Sequence, residues 1–95
     1  MQAQRRVVVV GIGSIGRRHA RLLCTARKDV TVELCEPSSE MLATAAKEEW
    51  FEGLTVHSDF DEMLATVPYA VVIATPHKFH VDMTLKVFPT LCHPD

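Results

Sequence analysis

The feature that most constrains the fold of this chain is a run of four valines, Val7–Val10, followed directly by the glycine-spaced turn Gly11-Ile12-Gly13-Ser14-Ile15-Gly16. A short β-branched run without polar alternation is typical of a strand buried on both faces, as in parallel sheets. A helical pattern then runs to about Ala26, and its apolar candidates are Ile15, Ala20, Leu22, Leu23 and Ala26. The sequence therefore predicts a buried strand, a sharp turn and a helix, which is how α/β folds begin.

The same alternation continues along the rest of the chain. Further strands are predicted over residues 30–35, 54–57 and 70–74, and further helices over about 38–50, 59–65 and 77–87. Because strands separated by helices need crossover connections, the sheet should be parallel, with right-handed crossovers. We expect an α/β Rossmann-type sheet of four strands in the order 3-2-1-4, with helices on both faces. This domain should span residues 1–88, and an irregular tail should occupy residues 89–95.

Composition narrows the partners that such a domain could have. The chain has 95 residues, 23% of them charged, and a net charge of −2, which argues against nucleic acid as the main partner. No stretch approaches the ~20 apolar residues that a membrane span needs. Three cysteines without a Cys-x-x-Cys pair argue against a disulfide framework or a zinc site. We expect a reduced, cytoplasmic protein that binds no metal, nucleic acid or membrane.

Each glycine of the turn has a separate predicted task. Gly11 permits the tight turn, Gly13 lets a pyrophosphate approach the backbone, and Gly16 lets the first helix lie close to the first strand. The N–H groups of Ser14 and Ile15 then point at the phosphates, and the helix dipole favours the negative charge there. The position of this motif between a strand and a helix therefore predicts a dinucleotide-binding site.

The second cofactor determinant is Glu36, which ends the second predicted strand twenty residues beyond Gly16. A carboxylate there can accept hydrogen bonds from the adenosine ribose, and it would repel the extra phosphate of NADP. Pro37-Ser38-Ser39 follow, with no Arg or Lys to receive that phosphate. We therefore expect NAD rather than NADP. A turn without a ligand and an S-adenosylmethionine site are the alternatives, and the full glycine spacing favours the dinucleotide.

Three segments resemble the Gfo/Idh/MocA (glucose–fructose oxidoreductase / inositol dehydrogenase) family over roughly residues 6–88. They are Gly11-Ile12-Gly13-Ser14-Ile15-Gly16-Arg17-Arg18-His19, Asp59-Phe60-Asp61-Glu62-Met63-Leu64 and Ala74-Thr75-Pro76-His77-Lys78-Phe79-His80. The resemblance implies that Thr75 and Pro76 lie beside the nicotinamide ribose and that His80 lies near the nicotinamide end of the cofactor. It also implies an oxidoreductase that transfers hydride to or from a sugar, inositol or related polyol.

After Val87 the sequence departs from the family pattern, which continues with a fifth strand, a Glu-Lys-Pro motif with a catalytic lysine, and a substrate domain. Lys78 and Lys86 belong to the preceding predicted helix and do not match that lysine. We therefore assign no catalytic residue and expect a truncated domain that binds cofactor but is inactive alone. The open edge of the fourth strand should promote self-association. A non-catalytic nucleotide-binding module and an S-adenosylmethionine-binding fragment stay open as alternatives.

Overall fold

The computed structural model describes residues 5–75 and Met83. The strands are β1 (Arg5–Val10), β2 (Val30–Cys35), β3 (Thr55–His57) and β4 (Ala70–Ile73), and the helices are α1 (Ser14–Ala26), α2 (Ser39–Ala45) and α3 (Phe60–Ala65). All strand pairs are parallel, and their order is β3-β2-β1-β4, which confirms the predicted order. The predicted helix over 77–87 and the predicted tail over 89–95 lie outside the described residues, apart from Met83.

The two faces of the sheet carry separate parts of the core. One face combines Val9, Val32 and Leu34 with Ile12 of the turn, Ala20 of α1 and Ala45 of α2. The other face combines Val8, Val10 and Cys35 with Met63 and Leu64 of α3. Because β1 is covered on both faces, all four of its valines are buried, and the predicted placement of helices on both faces is confirmed.

The sequence offers Ser38 or Ser39 as the cap of the second helix and Asp59 as the cap of the third, and the structure shows side-chain caps at Ser38 and Asp59. Ser38 Oγ accepts a hydrogen bond from the Met41 N–H at 3.2 Å, at the start of α2. Asp59 Oδ1 accepts one from the Glu62 N–H at 2.8 Å, at the start of α3. Such caps satisfy amides that have no partner within the helix, and each stabilises its helix by about 1 kcal/mol. They fix where the chain turns after β2 and β3.

The buried face of α1 differs from the apolar candidates of the sequence. Ile15 is 63% exposed and Leu22 is 50% exposed. Two of the predicted candidates, Ala20 and Leu23, do face the core, and Gly16 joins them; their spacing of four and then three residues forms one helical stripe. Small residues at two of these positions let the helix lie close to the sheet, and the larger apolar side chains beside the stripe stay in solvent.

The helix α2 is also shorter than predicted, since it ends at Ala45 rather than near Trp50. The Lys47 and Glu48 N–H groups donate to carbonyls three residues back, which tightens the chain out of the α-helix. A separate 3-10 helix follows over Glu49–Phe51. This arrangement brings Trp50 and Phe51 against the core, with their rings edge to face and centroids 6.1 Å apart.

A partly buried charged cluster joins three strands and the end of α3. The Arg6 guanidinium donates from Nε and Nη2 to the two oxygens of Glu33, each at 2.8 Å. The Nε2 atom of His57 lies 2.8 Å from Glu33 Oε1. Arg6 also donates to the carbonyl and the hydroxyl oxygen of Thr66. Hydrogen bonding to Arg6 is the largest cause that lowers the pKa of Glu33, to about 2.

No described helix has the length and apolar character needed to cross a membrane. Within residues 5–75 and Met83, no group of three or more His, Cys, Asp or Glu side chains is placed to hold a metal ion.

Candidate cofactor site

The ends of three neighbouring strands are tied together by backbone hydrogen bonds at one edge of the sheet. Gly11 N donates to the Cys35 carbonyl at 2.9 Å, and Ala74 N donates to the Val10 carbonyl at 2.8 Å. The segments that follow β1, β2 and β4 therefore meet at this edge, where ligands bind in open α/β sheets. A cleft of about 570 Å³ opens there. Its lining includes six of the residues predicted to bind cofactor: Gly11, Gly13, Ser14, Ile15, Glu36 and Thr75.

Two glycines of the turn are required by the fold itself. Gly11 has a φ of +87°, and a Cβ there would lie 2.8 Å from Thr75 Cγ2. A Cβ on Gly16 would lie 1.8 Å from the Gly11 carbonyl oxygen, which is a backbone atom that cannot move aside. Gly16 therefore lets α1 approach the sheet closely, as predicted, and the group that it approaches is the backbone of Gly11, just after β1. Larger residues at either position would deform the turn.

Gly13 is different, because protein packing does not require a glycine there. Its φ of −65° is open to any residue. An added Cβ would meet only Met41 Cε, at an ordinary contact distance of 3.5 Å. Gly13 and Met41 both line the cleft. The absence of a side chain at Gly13 thus leaves space beside the cleft that the fold does not use, and a phosphate group can approach the backbone through that space.

The helix α1 begins without the features that the other helices have at their starts. Its N-cap residue is Gly13, no side chain caps it, and its first turn holds no acidic residue. By contrast, α2 and α3 each have a side-chain cap and an acidic residue in the first turn. The first turn of α1 contains Arg17 instead, whose N–H donates to the Gly13 carbonyl at 2.9 Å.

The amides that precede this bond, those of Ser14, Ile15 and Gly16, have no partner within the helix. The positive end of the α1 dipole is therefore not neutralised by a protein carboxylate in this turn. The arrangement suits an anion bound at the start of α1, as in nucleotide-binding βαβ units.

Glu36 is only 7% exposed, and its carboxylate bridges two backbone segments. Oε1 accepts a hydrogen bond from the Ile12 N–H at 3.0 Å, and Oε2 accepts one from the Ser38 N–H at 3.0 Å. A carboxylate oxygen can accept a second hydrogen bond, so these contacts leave acceptor sites for ribose hydroxyls. The sequence placed Glu36 at the cleft but gave no sign of its contact with the turn, because that contact depends on strand register.

Several apolar residues of the cleft were not among the predicted site residues. Met41 is 38% exposed at the first turn of α2, and it lines the cleft with Pro37, Phe60 and Met83. A methionine three residues after the capping Ser38 was the available signal in the sequence. Among the predicted residues, Thr75 lies beside Gly11 and its hydroxyl lies 3.5 Å from Met83 Sδ. Pro76 and His80 lie outside the described residues.

Cys35 also lines the cleft, yet it is poorly suited to act as a nucleophile. Burial is the main cause that raises the pKa of its thiol to about 11, and the charges of Glu36 and Asp59 add to the effect. The thiolate is the reactive form of cysteine, so this thiol stays protonated and unreactive near neutral pH.

The parallel sheet, the glycine turn, the open start of α1 and the carboxylate after β2 together define a dinucleotide-binding Rossmann domain. The model of the GFO_IDH_MocA family, described as an oxidoreductase family with an NAD-binding Rossmann fold, matches residues 5–93. The chain belongs to this family, and the matched region is its NAD-binding domain.

Three relatives illustrate the similarity. D-glucoside 3-dehydrogenase of Escherichia coli (strain K12) is 30% identical over 90 residues, which are 93% of this chain and 25% of that protein. Myo-inositol 2-dehydrogenase from Lactobacillus plantarum is 29% identical with a TM-score of 0.78, over 94% of this chain and 26% of that one. GenD2 from gentamicin A biosynthesis, solved in complex with NAD, is 29% identical with a TM-score of 0.77, over 95% of this chain and 25% of that one.

The chain thus spans about a quarter of the length of these relatives.

Proposed function

We propose that this chain is the cofactor-binding part of an oxidoreductase that acts on a sugar, inositol or related polyol by hydride transfer. The cofactor contacts would come from Gly11, Gly13, Ser14, Ile15, Gly16 and Glu36 at the adenosine and pyrophosphate end, and from Thr75, Pro76 and His80 toward the nicotinamide. The observation that carries the cofactor part is Gly13, a glycine that the packing of the protein does not require but that lines the cleft.

The pyrophosphate assignment is supported by the start of α1. A ligand phosphate placed beside Gly13 would accept hydrogen bonds from the amides of Ser14 and Ile15, which lack partners within the helix. The first turn of α1 has no acidic side chain that would repel it. A bound pyrophosphate would therefore supply the cap that α1 lacks.

The preference for NAD over NADP is supported by the position of Glu36. Its carboxylate is nearly buried at the cleft, where it accepts hydrogen bonds from two backbone amides. A 2′-phosphate placed near this charge would be repelled, whereas the two hydroxyls of an unmodified ribose could donate to its oxygens. NADH should therefore bind more tightly than NADPH.

The substrate class is supported by what the relatives act on, which their names give as a glucoside and an inositol. In such a reaction a hydride leaves a carbinol carbon for the nicotinamide, and a base takes the hydroxyl proton. Because the chain spans about a quarter of those relatives, we propose that substrate pocket and base come from beyond it. The 95-residue chain should then bind NAD(H) without turning over substrate, with residues 1–88 as its folded unit.

The test is a calorimetric titration of the purified chain with NADH, NADPH and S-adenosylmethionine, with circular dichroism to establish folding. We expect saturable binding that is tightest for NADH. Gly13→Ala should stay folded, since its Cβ fits at 3.5 Å from Met41 Cε, but should bind NADH at least about tenfold more weakly.

Gly53→Ala is the matched control for this substitution. Gly53 has a φ of +83° and lies outside the cleft, so its replacement should lower stability and leave the affinity for NADH unchanged. A folded wild-type chain that binds neither NADH nor NADPH would contradict the proposal. Tighter binding of S-adenosylmethionine than of NADH would replace it with the alternative ligand.

A further inference from the structure

Glu36 joins three parts of the chain at the cleft. Its own N–H donates to the His57 carbonyl at the end of β3. Its two carboxylate oxygens accept from Ile12 in the glycine turn and from Ser38 at the cap of α2, both at 3.0 Å. All of these contacts are made with groups of the protein itself. A carboxylate whose only task was to receive ribose hydroxyls would not need them.

The contact with Ile12 bears on the shape of the turn. The Ile12 side chain is buried in the core and its amide is held by Glu36, while the preceding amide of Gly11 is held by the Cys35 carbonyl. The first two residues of the turn, Gly11 and Ile12, are thus held by hydrogen bonds to the end of β2 and to the residue that follows it. Beyond it come Gly13 and the amides at the start of α1, which the proposed pyrophosphate would contact.

We propose that Glu36 is a positioning residue for the glycine turn: its hydrogen bond to the Ile12 amide holds the turn in the shape that receives the pyrophosphate, independently of any contact with the ribose. This inference rests on the proposed cofactor site and deepens it. A hydrogen bond to a charged, nearly buried acceptor is among the stronger ones in proteins, so its loss should be felt in the turn.

The two roles of Glu36 separate when the ribose hydroxyls are removed from the ligand. ADP carries the same adenosine diphosphate as NAD, and 2′,3′-dideoxy-ADP keeps the diphosphate but lacks both hydroxyls. Glu36→Gln preserves the shape of the side chain, yet its amide NH₂ group cannot accept a hydrogen bond, so one of the two backbone amides loses its acceptor. Removing the negative charge of Glu36 would by itself strengthen the binding of a diphosphate, because it removes a repulsion. A weaker affinity in the variant would therefore report the lost hydrogen bond.

Calorimetry should compare both nucleotides with the wild-type chain, Glu36→Gln and the matched control Glu33→Gln. We expect Glu36→Gln to bind 2′,3′-dideoxy-ADP about tenfold more weakly than the wild type does, and to lose at least as much for ADP. Glu33 lies in the Arg6 cluster outside the cleft, so Glu33→Gln should lower the unfolding midpoint but change both affinities less than about twofold. If Glu36→Gln weakens ADP and leaves 2′,3′-dideoxy-ADP unchanged, Glu36 acts on the ribose alone and the inference is wrong.

Amide hydrogen exchange in the ligand-free chain gives a second, independent measurement. We expect the Ile12 amide to exchange at least about tenfold faster in Glu36→Leu, whose side chain offers neither amide an acceptor, while the Val9 amide in β1 changes less. Equal acceleration at both amides, or none at Ile12, would overturn the inference.

Should Glu36→Gln fail to fold, Glu36→Asp takes its place, because its shorter side chain keeps the charge but cannot reach both amides. If the wild type binds neither nucleotide, the proposed cofactor site fails, and hydrogen exchange still decides whether Glu36 orders the turn.

Discussion

Arg6 and Glu33 form a two-point ion pair across adjacent strands, with Nε and Nη2 of the guanidinium each 2.8 Å from a carboxylate oxygen. The pair lies on the face of the sheet that α3 covers, and Thr66 at the end of α3 accepts two further hydrogen bonds from Arg6. Strand pairing alone would not fix where α3 ends relative to β1. This ion pair therefore connects the register of the sheet to the packing of one helix.

The first prediction concerns acid. The pKa of Glu33 is lowered from its ordinary 4.5 to about 2, chiefly by its hydrogen bonds to Arg6. Because the folded-state pKa is depressed, the resulting stability is fully present above about pH 4.5 and is lost as the pH falls toward 2. We expect the free energy of unfolding to drop by on the order of 2 kcal/mol across this range.

Urea denaturation at a series of pH values measures this effect. Glu33→Gln should be less stable than the wild type at pH 7, and its stability should depend less on pH between about 5 and 2. Arg6→Lys keeps the positive charge but loses the two-point geometry, so it should lie between them. Parallel pH profiles for the wild type and Glu33→Gln would show that other carboxylates govern the acid transition.

The second prediction concerns Val67, which has a φ of +50° immediately after α3. Its N–H donates to the Leu64 carbonyl, so it occupies the position after a helix where glycine is usual. A β-branched residue in this conformation is strained. Because the Val67 side chain is 56% exposed, its loss removes little packing. We expect Val67→Gly to stabilise the domain by about 1 kcal/mol.

Thermal unfolding followed by circular dichroism tests this expectation. Val67→Ala is the control, since alanine also disfavours a positive φ and should gain less than glycine does. A lower unfolding midpoint for Val67→Gly than for Val67→Ala would mean that backbone strain at this position is outweighed by the flexibility that glycine adds to the unfolded chain.

The third prediction contrasts two glycines of the same turn. A Cβ on Gly16 would lie 1.8 Å from the Gly11 carbonyl oxygen, so Gly16→Ala should prevent the native turn and cost more than about 3 kcal/mol. Gly13→Ala should cost little stability. Circular dichroism and urea denaturation of the two variants provide the comparison. Equal stability of both variants would contradict the close approach at Gly16.

The fourth prediction concerns the edge of the sheet. Within the described residues β4 pairs only with β1, and all four residues of β4 are half-buried. An apolar strand edge that lacks a neighbour invites pairing with another strand. We expect the 95-residue chain to associate with itself as its concentration rises, as measured by sedimentation equilibrium. A monomer at all concentrations would show that the edge is covered within the chain.

The sequence was a good guide wherever local chemistry decides the structure. The valines of β1, the cap at Ser38 and the cap at Asp59 each follow from a few neighbouring residues. The strand order followed from the glycine turn and the alternation of elements, because few topologies satisfy the crossover rules. The cofactor cleft was predicted for the same reason, since its residues follow the ends of strands that are neighbours in the predicted order.

The contacts that the sequence did not predict are those between distant residues. Glu36 meets Ile12, and Glu33 meets Arg6 and His57, only because the register of β1, β2 and β3 brings them side by side. Periodicity also cannot decide which of several apolar stripes on a helix faces the sheet. The small residues Gly16 and Ala20 set the buried face of α1 through close approach, which a hydrophobicity pattern does not report.

The open first turn of α1 has a consequence for the life of the protein in a cell. A helix start without a side-chain cap lacks about 1 kcal/mol that the caps of α2 and α3 supply. A ligand that binds only the folded state raises the free energy of unfolding. The gain grows with the logarithm of the ratio of ligand concentration to dissociation constant. The resistance of this domain to proteases should therefore follow the supply of dinucleotide, so that copies without cofactor are degraded first.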